Sequence, residues 1–172
     1  MARRGAFIVF EGCDKVGKST QCQRLVAAMT RDDFKVQSLK FPDRTTAIGK
    51  AIDEYLNNKV ELEDHAIHLL FSANRWESIP MIKQLLLSGT SLVVDRYAFS
   101  GVAFTAAKMV SGTTMEWCKS PDVGLPAPDV VFYLTLPAEV AQTRQEYGAG
   151  THWTHREALK TSTLTSTKLF RK

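Results

Sequence analysis

The stretch Gly12-Cys13-Asp14-Lys15-Val16-Gly17-Lys18-Ser19-Thr20 has the spacing G-x-x-x-x-G-K-[ST], and the residues ahead of it, Ala6-Phe7-Ile8-Val9-Phe10, read as a short buried strand. A glycine-rich turn between a strand and a helix aims several backbone N–H groups into one concavity, which favours phosphate oxygens by geometry and by the helix dipole. In such a loop Lys18 reaches the β- and γ-phosphates, and the Ser19 hydroxyl is a Mg²⁺ ligand. Leu25, Val26 and Met29 recur on one face of a helix starting near Lys18, and Arg31-Asp32-Asp33 ends it. Strand, loop and helix thus stand in the order that nucleotide binding requires.

The chain has 172 residues, 44% hydrophobic and 23% charged, which suits one domain with a well-buried core. No apolar run approaches the roughly 18 residues that a membrane span needs. The phosphate loop follows Met1-Ala2-Arg3-Arg4-Gly5 too closely for a separate signal segment, so the expected compartment is the cytoplasm, with nucleus or mitochondrion left open. Cys13, Cys22 and Cys118 lack C-x-x-C spacing, which argues against both a disulfide framework and a zinc site. The net charge of +4 raises the question of nucleic acid. Yet residues 1–150 hold seventeen Lys+Arg against seventeen Asp+Glu, and the excess lies at Arg156, Lys160, Lys168, Arg171 and Lys172. Cations in the neutral body are better assigned to phosphate sites than to a nucleic-acid face.

Further along, Val36 to Phe41 is a strand candidate closed by Pro42, which puts Arg44 in a loop at a strand end, where open α/β sheets gather ligands. Thr45 or Thr46 caps a helix with the apolar face Ile48, Ile52, Tyr55 and Leu56, and Asp64 caps the next, with the stripe Ile67, Leu70 and Phe71. Phe71 and Arg75 share a face; spacing alone reads them as core packing with a snorkelling arginine. Pro80 opens a further helix that runs to Gly89.

Ser91-Leu92-Val93-Val94-Asp95 reads as a central strand buried on both faces, and its terminal carboxylate is placed to hold Mg²⁺ beside the phosphate loop. A helix over Phe99 to Met109 contains Gly101, which weakens it by about 1 kcal/mol relative to alanine, so close approach of a ligand is a reason for it. Residues 111–128 are loop-rich. Val130-Val131-Phe132-Tyr133-Leu134 reads as the next buried strand, and Pro137 as the start of a helix through Arg144 and Gln145.

Taken together these motifs resemble thymidylate kinase, in its eukaryotic and poxvirus forms. The resemblance rests on Gly12 to Thr20, Phe41-Pro42-Asp43-Arg44, Leu69-Leu70-Phe71-Ser72-Ala73-Asn74-Arg75-Trp76-Glu77, Asp95-Arg96-Tyr97-Ala98-Phe99-Ser100-Gly101-Val102-Ala103-Phe104 and Gly124-Leu125-Pro126-Ala127-Pro128-Asp129. It implies a P-loop NTPase fold of the nucleoside monophosphate kinase type, three-layer α/β/α with a parallel sheet, and transfer of the ATP γ-phosphate to dTMP with Mg²⁺. Gly12, Cys13, Asp14, Lys15, Val16, Gly17, Lys18, Ser19 and Thr20 form the ATP loop. Asp14, Lys15, Lys18 and Arg96 are the implied catalytic residues. Ser19 and Asp95 are the implied metal ligands.

For dTMP the resemblance implies Phe71 stacked on thymine, Arg75 on its O4 edge, Arg44 and Arg96 on the phosphate, Phe104 against the sugar, and Phe41, Ser100, Gly101 and Asp14 around them. Lys15 stands where eukaryotic members usually carry arginine; it supplies charge but no bidentate fork. A homodimer is also implied. The departure comes after Gln145-Glu146-Tyr147-Gly148-Ala149. There the family has a lid, a helix, a final strand and a closing helix, whereas this chain has a threonine-rich segment. The expectation is a kinase domain over 1–148 and a divergent, disordered tail over 149–172 that lacks the family's last strand and helix. Two rival readings stay open: a kinase for another nucleoside monophosphate, and a nucleotide-binding form whose altered C-terminus impairs catalysis.

Overall fold

The computed structural model describes residues 3–137 and residue 140. The elements run β1 (Phe7–Gly12), α1 (Lys18–Arg31), β2 (Val36–Lys40), α2 (Ala47–Leu56), α3 (Asp64–Glu77), α4 (Ile79–Leu87), β3 (Ser91–Asp95), α5 (Ala98–Lys108), α6 (Met115–Lys119), a 3₁₀ turn (Ser120–Asp122) and β4 (Val130–Leu134). All strand pairs are parallel and the sheet order is β2-β3-β1-β4. Parallel neighbours need crossovers, and the helices supply them on both faces.

The pleat of the two central strands separates the two apolar layers. Phe7 and Val9 of β1 and Leu92 and Val94 of β3 point to one face, where Ile82 and Leu86 of α4 close the layer. Phe10 and Val93 point to the other, against Cys22 and the half-buried Leu25, Val26 and Met29 of α1. Each fully buried side chain of this kind contributes about 1.5–3 kcal/mol. A third cluster, Ile52, Tyr55 and Ile67, joins α2 to α3 beside the sheet. The result is the expected three-layer α/β/α arrangement, with β3 buried at every residue.

Three expectations need correction. Glu63, not Asp64, caps α3, its carboxylate accepting from the N–H groups of His65 and Ala66; Asp64 instead lies inside the first turn. β4 is not buried, since Val130 and Phe132 are each 44% exposed and, among the described strands, it has a neighbour only on the β1 side. Arg75 does not snorkel: the buried positions of α3 are Ile67, His68, Ser72, Asn74 and Arg75, a largely polar set, and the arginine is 2% exposed. Thr46, by contrast, caps α2 as expected, accepting from Gly49 N–H. Most of the helix expected from Pro137, and the tail over 149–172, lie outside the described residues.

Candidate active site

The register of β1 on β3 pairs Phe10 with Asp95, so the loop that follows β1 and the carboxylate that ends β3 emerge side by side. Gly17 leads into α1 at φ +98°, a left-handed conformation that glycine adopts without steric penalty. Lys18, 6% exposed, donates from Nζ to the Cys13 carbonyl at 2.6 Å. Burial, reinforced by the nearby Arg96 charge, lowers its pKa to about 8. Ser19 Oγ donates to Asp95 Oδ2 at 2.5 Å. The other oxygen, Asp95 Oδ1, is buried and has no hydrogen-bond partner among the described residues. An orphaned carboxylate oxygen beside a hydroxyl is a donor set that fits a hard divalent cation sharing phosphate oxygens.

Arg96 follows β3 at φ +70°, uncommon for a residue with a Cβ, while its N–H donates to the Phe10 carbonyl. Its guanidinium bonds Asp14 Oδ1 through Nη2 at 2.5 Å and Ser100 Oγ through Nη1 at 3.0 Å, and lies 5.2 Å from the Phe104 ring centre. One side chain therefore touches the phosphate loop and the wall of a neighbouring cavity.

Glu11 supports that arrangement from below. Only 1% exposed, it accepts from the N–H groups of Tyr97 (2.8 Å) and Ser100 (3.3 Å) and from Ser100 Oγ (2.5 Å). Its carboxyl group thus sits at the N-terminus of α5, the positive end of that helix dipole. Burial pushes its pKa up, opposed by those hydrogen bonds and by Arg96.

The cavity, about 190 Å³, opens beside the loop. Asp14, Arg44 and Arg96 line it, as do Phe41, Phe71, Arg75, Ser100, Gly101 and Phe104. Arg44 is half-exposed and paired with Asp53 at 2.7 Å. Asn74 secures the loop that carries Arg44: its side chain accepts from Asp43 N–H at 2.7 Å and donates to Asp43 O and Glu77. Arg75 donates from Nε and Nη2 to the two oxygens of Asp122, at 3.0 and 2.6 Å. A Cβ at position 101 would lie 3.1 Å from Nη2, so this arginine leaves little room for one.

The structure therefore brings the loop residues, Asp95 and Arg96 together, with Phe104 beside the Arg96 guanidinium, and sets Gly101 against Arg75, while Phe71 lines the same cavity. Thr20 projects from α1 at an exposed position, and Cys13 is half-buried. Glu11, His68 and Asp122 escaped the sequence reading. Glu11 closes an apolar run just as Asp95 does, and that shared pattern was its available signal. Asp122 and His68 carried none, because their partners are far away in sequence.

A phosphate loop on the central strand of a parallel sheet, with a carboxylate at the end of the adjacent strand and an arginine-lined cavity beside it, defines a P-loop phosphotransferase fold of the nucleoside monophosphate kinase type. The family model for thymidylate kinase matches residues 10–171. Thymidylate kinase of Danio rerio is 59% identical over 146 residues, covering 85% of this chain and 68% of that protein. The Homo sapiens enzyme is 54% identical, covering 86% and 68%. The solved structure of thymidylate kinase from Candida albicans superposes with a TM-score of 0.89 at 38% identity, covering 98% of this chain and 80% of that one. The chain belongs to the thymidylate kinase family, and it spans about two thirds of the length of these curated relatives.

Proposed function

We propose that this chain transfers the γ-phosphate of ATP to the 5′-phosphate of dTMP, giving dTDP and ADP. The observation that carries the reading is Arg96, whose single guanidinium bonds Asp14 of the phosphate loop and covers Phe104 of the cavity, joining a donor end to an acceptor end. Phosphoryl transfer needs little covalent chemistry from the protein; it needs the two phosphates held in line and their charge neutralised.

In this reading the loop N–H groups and Lys18 cradle the ATP phosphates. Asp14 and Lys15 face the acceptor, with Lys15 acting as a point charge on the migrating group. Arg44 and Arg96 hold the dTMP phosphate; Arg44 exchanges its exposed partner Asp53 for it, a small loss because exposed ion pairs are weak. Phe71 stacks on thymine within a cavity walled also by Phe41, Ser100 and Gly101, and Arg75 donates to the O4 edge. Phe104 packs against the sugar and disfavours a 2′-OH.

Ser19 and Asp95 are the residues that would hold Mg²⁺, which would supply charge neutralisation to the phosphates. Homodimer formation belongs to the same reading, supported by Leu69 and Trp76, exposed and seven residues apart on α3. So does residence in a reducing compartment such as the cytoplasm, supported by three free thiols. No described helix is long and apolar enough to cross a membrane.

The test is a comparison of dTMP, dUMP, dCMP and thymidine as acceptors in a coupled assay of ADP release. Turnover highest with dTMP is expected. Turnover of dCMP with none of dTMP, or ATP binding with no dTDP formed, contradicts the reading.

A further inference from the structure

Arg75 is a buried cation whose charge is matched from outside its own helix. Asp122, itself 6% exposed, grips it through Nε and Nη2, the two parallel N–H···O bonds of a planar fork. That pairing leaves Nη1, and a Cβ at position 101 would approach this nitrogen to 3.2 Å where glycine leaves room on the cavity side. The carboxylate is held in turn. Ser72 Oγ donates to Asp122 Oδ1 at 2.7 Å, and the Ser72 hydroxyl and Trp76 Nε1 both lie within hydrogen-bonding distance of the Pro121 carbonyl, at 3.0 and 2.7 Å. The 3₁₀ turn is thereby fastened to α3 next to the arginine it orients.

We propose that Asp122 is a positioning residue that sets base selectivity. It removes the rotational freedom of the Arg75 guanidinium and presents Nη1 to the cavity as a fixed N–H donor. The inference rests on the reading of the cavity as the nucleobase site. A donor fixed in this way favours a base with a carbonyl at its outer edge, as thymine has at O4, and disfavours cytosine, whose N4 amino group is also a donor. With cytosine two buried donors face each other unpaired, a mismatch that sites of this kind reject strongly. An arginine free to rotate would turn aside and tolerate either base.

The test is calorimetric titration of the full chain, as wild type, Asp122→Asn and Ser72→Ala, with dTMP, dCMP and ATP in turn. Wild type is expected to prefer dTMP over dCMP by at least about 100-fold. Asp122→Asn is expected to weaken dTMP by about 10-fold or more and to lower the dTMP-to-dCMP ratio by a similar factor, with ATP affinity changed less than about twofold. Loss of fold stability alone would not move the ratio of two pyrimidines. An unchanged ratio in Asp122→Asn, or equal weakening of ATP and dTMP, overturns the positioning role. If Asp122→Asn does not fold, Ser72→Ala decides, since it keeps the ion pair and removes the hydroxyl that holds Asp122 Oδ1. A drop of about threefold in the ratio supports the role and no drop overturns it. Wild type that binds ATP but not dTMP overturns the reading of the cavity itself, and the inference falls with it.

Discussion

The two ends of the site are built in different ways. At the phosphate end the groups come from one contiguous loop and the tips of two adjacent strands, and the backbone does much of the work: Gly17 in a left-handed conformation, a helix N-terminus, and Asp95 brought beside Ser19 by strand register. At the base end the polar groups belong to side chains matched across long stretches of chain. Arg75 finds Asp122, and His68 lies between Thr105 Oγ1 at 2.7 Å and the Cys118 carbonyl at 3.0 Å. In the proposed reading the first design takes the triphosphate of the donor and the second carries the discrimination, because buried polar groups must be matched and a mismatch leaves them unsatisfied.

If the ends are separable, variants should separate them. The largest effect is expected from Lys18→Ala, with turnover lowered by roughly 10³-fold or more, dTMP affinity retained and the fold intact by circular dichroism. Unchanged dTDP production would remove the loop from the chemistry. Next, Arg75→Ala should weaken dTMP by about 100-fold in calorimetry while ATP changes little. It should also lower stability in urea titration by about 3 kcal/mol, because Asp122 is left as a buried unpaired charge. Equal loss of both nucleotides would erase the distinction between the ends.

Smaller and sharper is the pH dependence of ATP binding. With Lys18 lowered to about 8 in the free protein, bound phosphates raise it again, so binding takes up a proton above that pH. ATP affinity is then full below about pH 7 and falls as pH rises through 8, by up to tenfold per unit. Lys18→Arg, which does not titrate in this range, should bind with a flat profile. Calorimetry in buffers of different ionisation enthalpy reads the proton directly, and absence of uptake in wild type would contradict the assignment. The smallest effect bridges the two ends. Glu11→Ala leaves the buried N–H groups of Tyr97 and Ser100 without their acceptor and should lower stability by about 2 kcal/mol. Because Ser100 also holds Arg96, dTMP affinity should fall a few-fold in the same variant.

That contrast also explains what could be read from the chain beforehand. The Gly12 to Thr20 loop and the apolar run ending in Asp95 are local patterns with a fixed mechanical meaning, so the loop, the helix after it and the central strand were all legible. Arg75 was legible as a site residue only through family resemblance. Its spacing with Phe71 equally suits a snorkelling side chain, and nothing near it announces Asp122, which is 47 residues away. Glu11 was within reach, following the apolar run of β1 as Asp95 follows that of β3. β4 looked like a buried strand because Val130 to Leu134 is apolar throughout, but composition does not say how many neighbours a strand has, and among the described strands β4 has one.

In the proposed reaction a donor end and an acceptor end meet at Arg96. Phosphorus-31 NMR of the purified chain with ATP, dTMP and Mg²⁺ observes it without coupling enzymes. The account predicts the paired resonances of dTDP growing in step with those of ADP, with no inorganic phosphate released. ATP left intact, or ADP appearing with inorganic phosphate and no dTDP, would contradict it.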